Sequence, residues 1–151
     1  MSTTPDFDLV VQELSKNMYP LDGVVAKATP FPRDYLLSEF RTIKLGAGRE
    51  QGIGAWAVKK FIDHPGKTLM LCANQGVSTD FIEEIKFADG EDALKRGMVL
   101  HNDYPDHVRF HKFDQVIIIS AGYYFNRYKH SKIYKLLAEC VTDDVIIYHL
   151  N

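Results

Sequence analysis

Apolar positions fall into two recurring patterns along this chain, one with helical spacing and one continuous. Phe7, Val10, Val11 and Leu14 recur at i, i+3, i+4 and i+7, which predicts an amphipathic helix to about Asn17, capped by Thr4 with Pro5 at its first position. Pro20, Asp22 and Gly23 break that helix, Pro30 and Pro32 bracket a loop, and Asp34 to Phe40 reads as a short second helix. Arg41 to Leu45 reads as a strand, Gly46 to Gly54 as a glycine-rich turn, and Ala55 to Ile62 as a helix stopped by His64-Pro65-Gly66. Lys67 to Cys72 is a continuous apolar run bounded by turn residues, as in a strand buried on both faces.

A second cycle follows. Ser78 or Thr79 caps a helix running through Lys86, with Glu83 or Glu84 near the capping-box position, and the polar stretch from Ala88 to Gly97 adds a short helix. Val108 to Phe113 alternates in the manner of an exposed or edge strand. Val116 to Ile119 is the most apolar run and should be a central strand. Helical spacing returns from Tyr128 to Cys140 through Ile133, Leu136 and Leu137, and Val145 to Tyr148 closes the chain as a strand. Strands alternating with helices predict a three-layer α/β fold, a mainly parallel sheet with helices on both faces. Residues 1–40 form an N-terminal helical segment packed on an α/β core of residues 41–151, one domain overall.

Composition narrows the classes. The 151 residues are 46% hydrophobic and 25% charged, with 18 Lys plus Arg against 20 Asp plus Glu and a net charge of -2. That excludes a generally basic nucleic-acid coat and a disordered acidic tail. Cys72 and Cys140 both lie in apolar runs without metal-ligand spacing, so they read as reduced core thiols of a cytoplasmic protein. No run of about 18 apolar residues exists, so no membrane partner is expected, and Met1 to Asp6 lacks the basic and apolar regions of a leader.

The glycine-rich turn carries the clearest chemistry. Between a strand and a helix, backbone N–H groups and the positive end of the helix dipole converge on one point, which suits a phosphate, and glycines let the backbone approach it. Gly46, Gly48, Arg49, Glu50, Gln51, Gly52 and Gly54 are the candidate phosphate-binding residues. Ala47-Gly48-Arg49-Glu50-Gln51-Gly52 resembles the front of the Walker A pattern of P-loop NTPases, in particular the ATPase cores of helicases and phage terminases, with Ala for the first Gly. Phe113 to Ser120 is similar to a Walker B strand, and the resemblance spans roughly residues 41 to 150. The positions for Lys and for Ser or Thr hold Ile53 and Gly54, and Ser120 stands where the Asp belongs. Phosphoryl transfer depends on those groups for charge and metal, so the resemblance implies a degenerate, non-hydrolysing relative. Gly66-Lys67-Thr68 is not a second Walker motif, because Phe61 occupies its first glycine position and a strand follows.

A second resemblance points to another class. Gly48 to Gly54 fits the G-x-x-x-G-[IL]-G turn of short-chain dehydrogenases, and Tyr128-Lys129-His130-Ser131-Lys132 fits their Y-x-x-x-K pair, with Ser120 as the supporting hydroxyl. That resemblance implies an NAD(P)-binding oxidoreductase with Ser120, Tyr128 and Lys132 as catalytic residues. The chain is much shorter than members of that family, and the step from Ser120 to Tyr128 is short.

Charge patterning supplies candidate surfaces. No acidic residue lies between Asp114 and Glu139, where Arg127, Lys129, Lys132 and Lys135 interleave with aromatic residues. Tyr124, Arg127, Lys129, Lys132 and Lys135 are candidates for local, salt-dependent nucleic-acid contact; the alternative is a solvated basic helix face with its tyrosines over the core. Residues 77–106 are acidic and could serve self-association or a basic protein partner. His101, Asp103, Asp106, His107 and His111 cluster in sequence, but strand residues four apart lie about 13 Å apart, so no metal site is expected. The combined expectation is a P-loop-like protein, viral in type, that binds a nucleotide or nucleic acid or acts as an accessory subunit, with no cofactor specified. The rival readings are the oxidoreductase and a purely structural protein.

Overall fold

Val116 to Ile119 lies at the middle of the sheet, where its unbroken apolarity can be buried on both sides. The computed structural model describes residues 5–22, 27–28, 30–46, 52–101 and 107–151. Five strands, β1 (Thr42–Leu45), β2 (Thr68–Leu71), β3 (Met98–Leu100), β4 (Phe113–Ile119) and β5 (Val141–Leu150), form one sheet in the order β1-β5-β4-β2-β3. Every neighbouring pair is parallel. Among the described residues seven helices with full bounds accompany it: α1 (Phe7–Ser15), α2 (Arg33–Phe40), α3 (Ile53–Asp63), α4 (Gln75–Phe87), α5 (Glu91–Arg96), α6 (Ala121–Arg127) and α7 (His130–Cys140).

The pleat sorts the core into two halves. Met70, Cys72, Ile117, Ile119, Tyr148 and Leu150 pack with residues of α1, α3, α4 and α5. Leu69, Leu71, Val116, Ile118, Val145 and Ile147 pack with α2, α6 and α7 on the other face. This is the three-layer α/β architecture that the apolar runs imply. Cys72 and Cys140 lie in opposite halves, both free and buried, and burial pushes each thiol up to about 12. Neither is a nucleophile at neutral pH.

The N-terminal segment divides between the two layers, α1 on one face and α2 on the other. Two arginines bind it to the last crossover. Arg41 is buried, and its guanidinium donates to the carbonyls of Val145 at 2.8 Å, Asp144 at 2.7 Å and Tyr19 at 3.2 Å. Arg33 donates to the carbonyls of Ala138 and Val141 and pairs with Asp143.

Several local expectations are corrected. Thr4 and Gly23 lie outside the described residues, and α1 is capped by Asp6, whose carboxylate accepts from the Leu9 N–H at 3.1 Å. Helix α4 starts before Ser78, because the extended Asn74 accepts from the Val77 N–H at 3.0 Å; Ser78 is buried inside the helix. The segment from Tyr128 to Cys140 is not one helix. Tyr128 and Lys129 are extended, and the Tyr128 hydroxyl donates to the His101 carbonyl at 3.2 Å, a tertiary bond that outweighs local helical spacing. Val108 to Phe110 is a turn with Val108 buried and Phe110 exposed, and the edge strand beyond β2 is Met98–Leu100.

A buried polar chain crosses the second half of the core. The Thr42 hydroxyl donates to the Leu37 carbonyl at 2.9 Å, so at 2.7 Å it accepts from the Tyr134 hydroxyl. Tyr134 must then accept from the His149 Nε2–H at 2.8 Å, which places the proton of the neutral imidazole on Nε2. Burial, reinforced by Lys44 and His130, lowers His149 to about 4. The unfolded chain therefore binds a proton near pH 6.5 that the folded chain refuses until about pH 4. Stability from this group is full above pH 6.5 and is lost as pH falls through 4, by up to about 3 kcal/mol. Urea denaturation across pH 7 to 4 should show that loss in the wild type, and His149→Gln, which keeps a donor for Tyr134, should remove that component of the slope. An unchanged slope in the variant would contradict the assignment.

Candidate functional site

Because all strands run the same way, their carboxyl ends meet at one edge. After β2 the chain leaves into α4 on one face, and after β4 it leaves into α6 on the other. Such a divergence opens a crevice, the usual ligand position in open α/β sheets. A pocket of about 230 Å³ occupies it. Ile119 and Ser120 contribute from the end of β4, Leu150 and Asn151 from the end of β5, Ile53 and Gly54 from the start of α3, and Val77 and Phe81 from α4. Two larger grooves, of about 570 and 450 Å³, lie on helix surfaces away from the strand ends.

Two left-handed residues shape the rim. Gly52, at the N-cap of α3, has φ 80 and ψ 13, a left-handed conformation that glycine adopts without penalty. Among the described residues no side chain caps α3, and the Gly52 carbonyl accepts from the Trp56 N–H at 2.9 Å. Ser120 is also left-handed, at φ 49 and ψ 58, which costs a non-glycine residue about 1 kcal/mol. It is held between β4 and α6, where its carbonyl accepts from the Tyr124 N–H at 2.9 Å. Asn151 closes the edge: its side-chain oxygen accepts from the Gly122 N–H at 2.8 Å, and its N–H donates to the Leu45 carbonyl at 2.9 Å.

The sequence-predicted residues are distributed unevenly around this frame. Gly46 is exposed directly after β1, and Gly52 and Gly54 open α3 at the same edge. Ala47, Gly48, Arg49, Glu50 and Gln51 lie outside the described residues. Ile53, Gly54 and Ser120, the three positions where a P-loop enzyme would carry Lys, Ser or Thr, and Asp, line one pocket. Among the described residues that line it, none is charged; Ser120 and Asn151 supply its side-chain polar groups. The arrangement can hold a ligand through hydrogen bonds and apolar contact, and its described lining residues include no side-chain carboxylate. Gly66, Lys67 and Thr68 lie at the opposite, amino edge, where the Lys67 N–H donates to Asp114 at 2.9 Å and buried Thr68 meets Gln115 at 2.9 Å.

The other candidates fare differently. Tyr124 is fully buried between Phe125 and Tyr128, so its ring has no free face for a base and it leaves the nucleic-acid group. Arg127, Lys129, Lys132 and Lys135 are exposed, with the Arg127 guanidinium 5.8 Å from the Tyr128 ring. The dehydrogenase pair is split between elements: Tyr128 sits in the extended break between α6 and α7 with its hydroxyl on a backbone carbonyl, and Lys132 lies on the exposed surface of α7. Four-residue spacing therefore does not bring them onto one helical face. Asp103 and Asp106 lie outside the described residues, and His111 stacks on Phe113 at 5.2 Å. Among the described residues no group of three potential ligands is placed to hold a metal ion, and no helix is long and apolar enough to cross a membrane.

Comparison with protein-family models and with curated proteins finds no match for this chain. The signal that sequence reading missed at this site is Asn151, an ordinary polar residue whose role follows from the register that places it beside Gly46 and Gly122.

The two glycines of the α3 start should respond oppositely to alanine. Gly52→Ala forces a Cβ into the left-handed region and should cost about 1–2 kcal/mol in urea denaturation. Gly54 has open space around the Cβ position and lies in the helix, so Gly54→Ala should be neutral or stabilising by up to about 1 kcal/mol. Equal effects would contradict the geometry of this turn.

Proposed function

We propose that this chain is a P-loop-like module that binds a nucleotide-type ligand without hydrolysing it. The observation that supports this reading is the convergence of Ile53, Gly54 and Ser120 on one pocket at the carboxyl edge. Two segments separated by more than half of the core, matched only by motif resemblance, meet where the resemblance requires them to meet. The substitutions at those positions remove the phosphate-neutralising cation, the metal-binding hydroxyl and the metal-supporting carboxylate together. Binding then rests on the uncapped amides of α3, on Ser120 and Asn151, and on apolar contact with Val77 and Phe81, with no role for Mg²⁺. The resemblance to helicase and terminase cores supports a role in the cytoplasm as an accessory subunit of a nucleic-acid machine of viral type.

Reinstating the missing groups tests this directly. Ile53 is half-buried at the rim, Gly54 has no heavy atom within 4 Å of a Cβ, and aspartate tolerates the left-handed backbone at position 120. The Ile53→Lys, Gly54→Thr, Ser120→Asp triple variant should gain Mg²⁺-dependent stabilisation by ATP in a thermal-shift assay, about 2.7 kcal/mol at a hundred times Kd. The wild type should show no ATP turnover and no dependence of its ATP response on Mg²⁺. A variant without any Mg²⁺-dependent gain, or a wild type that hydrolyses ATP, would overturn the reading.

A further inference from the structure

Asp80, Glu83, Glu84 and Phe87 occur at i, i+3, i+4 and i+7 on α4 and so share one helical face. They border the groove of about 570 Å³ whose α3 wall is Ala55 and Val58. The three carboxylates are exposed and form no ion pair among the described residues. Phe87 is 93% exposed, the most exposed large apolar side chain described. A row of unpaired carboxylates beside a bare aromatic ring and an apolar floor fits a cationic surface that also carries an apolar side chain.

The opposite layer presents such a surface. Lys129, Lys132 and Lys135 are exposed at the N-cap and on the outer face of α7, and Arg127, at the end of α6, is exposed with Tyr123, which is 54% exposed on that same helix. The aromatic residues that would make this a single-stranded nucleic-acid platform are occupied. Tyr124 and Tyr134 are buried, Phe125 packs against Tyr134 and His149, and Tyr128 is bonded to the His101 carbonyl. Charge remains without the stacking faces that such binding uses.

We propose that the acidic groove of one copy receives the basic face of α7 from a second copy. Helices α4 and α7 belong to opposite layers, so the contact is head-to-tail and each copy keeps one free face of each kind. The helices are matched in length, 13 and 11 residues, or about 20 and 16 Å. One such helix pair buries less than about 1,000 Å², so the association is weak, reversible and sensitive to salt. It is independent of the nucleotide reading.

Sedimentation equilibrium on the full chain tests this at low and high salt, up to about 1 mM protein, the range of a weak contact. The wild type should exceed 17.2 kDa at low salt, increasingly with concentration, and return to that mass at high salt. Glu83→Lys with Glu84→Lys, and separately Lys132→Glu with Lys135→Glu, should each remain monomeric. Mixing the two variants should restore association, because every reversed face then finds its complement, and that rescue also shows that both are folded. A monomeric wild type under all conditions, or association untouched by either reversal, would overturn the proposal. Basic-face reversal that leaves association intact and abolishes binding of a short oligonucleotide would also overturn it, and would assign that face to nucleic acid.

Discussion

Burial of β4 on every side is the constraint from which the rest follows. Its ladder bonds are satisfied by β2 on one flank and β5 on the other, and its alternate side chains enter both halves of the core. From Val116 to Ile119 the strand has no room for a charge, and Asp114 and the one register irregularity lie at its amino-terminal end. With Ile119 held opposite Leu150, and Ile118 opposite Leu71, the residues that follow each strand are fixed relative to one another. Ser120, Asn151 and the start of α3 are neighbours because the parallel ladder leaves them no alternative.

Among the described residues, that edge is shaped by backbone conformation rather than by charge. The left-handed turns at Gly52 and Ser120 and the start of α3, which no described side chain caps, are backbone features. Ile53, Gly54 and Ser120, which line the pocket beside them, bring no charge to it. Under the proposed reading, backbone geometry and side-chain chemistry separate here, and a site without reacting groups acts in binding alone.

The sheet was legible from sequence because parallel strands buried on both faces must be continuous apolar runs, and Lys67 to Cys72 and Val116 to Ile119 are such runs. Helix boundaries were less legible. Asn74 outcompeted Ser78 as a cap because its backbone is already extended, and the break at Tyr128 comes from a hydroxyl reaching the His101 carbonyl far away in sequence. Aromatic residues misled for a related reason: Tyr124 alternates with basic residues along the chain, but the pitch of α6 turns it inward while Arg127 faces out. The pocket itself was half legible, since the glycine turn and Ser120 stand out by motif, whereas Asn151, Val77 and Phe81 join it only through topology.

The central claim is that the carboxyl-edge pocket is where the ligand binds. An amide chemical-shift titration of the wild-type chain with ATP in the absence of divalent metal tests it most directly. Perturbations confined to Ile53, Gly54, Val77, Ser120 and Asn151, unchanged when Mg²⁺ is added, are the predicted result. Perturbations centred on Arg127, Lys129 and Lys132, or none at saturating nucleotide, would contradict it.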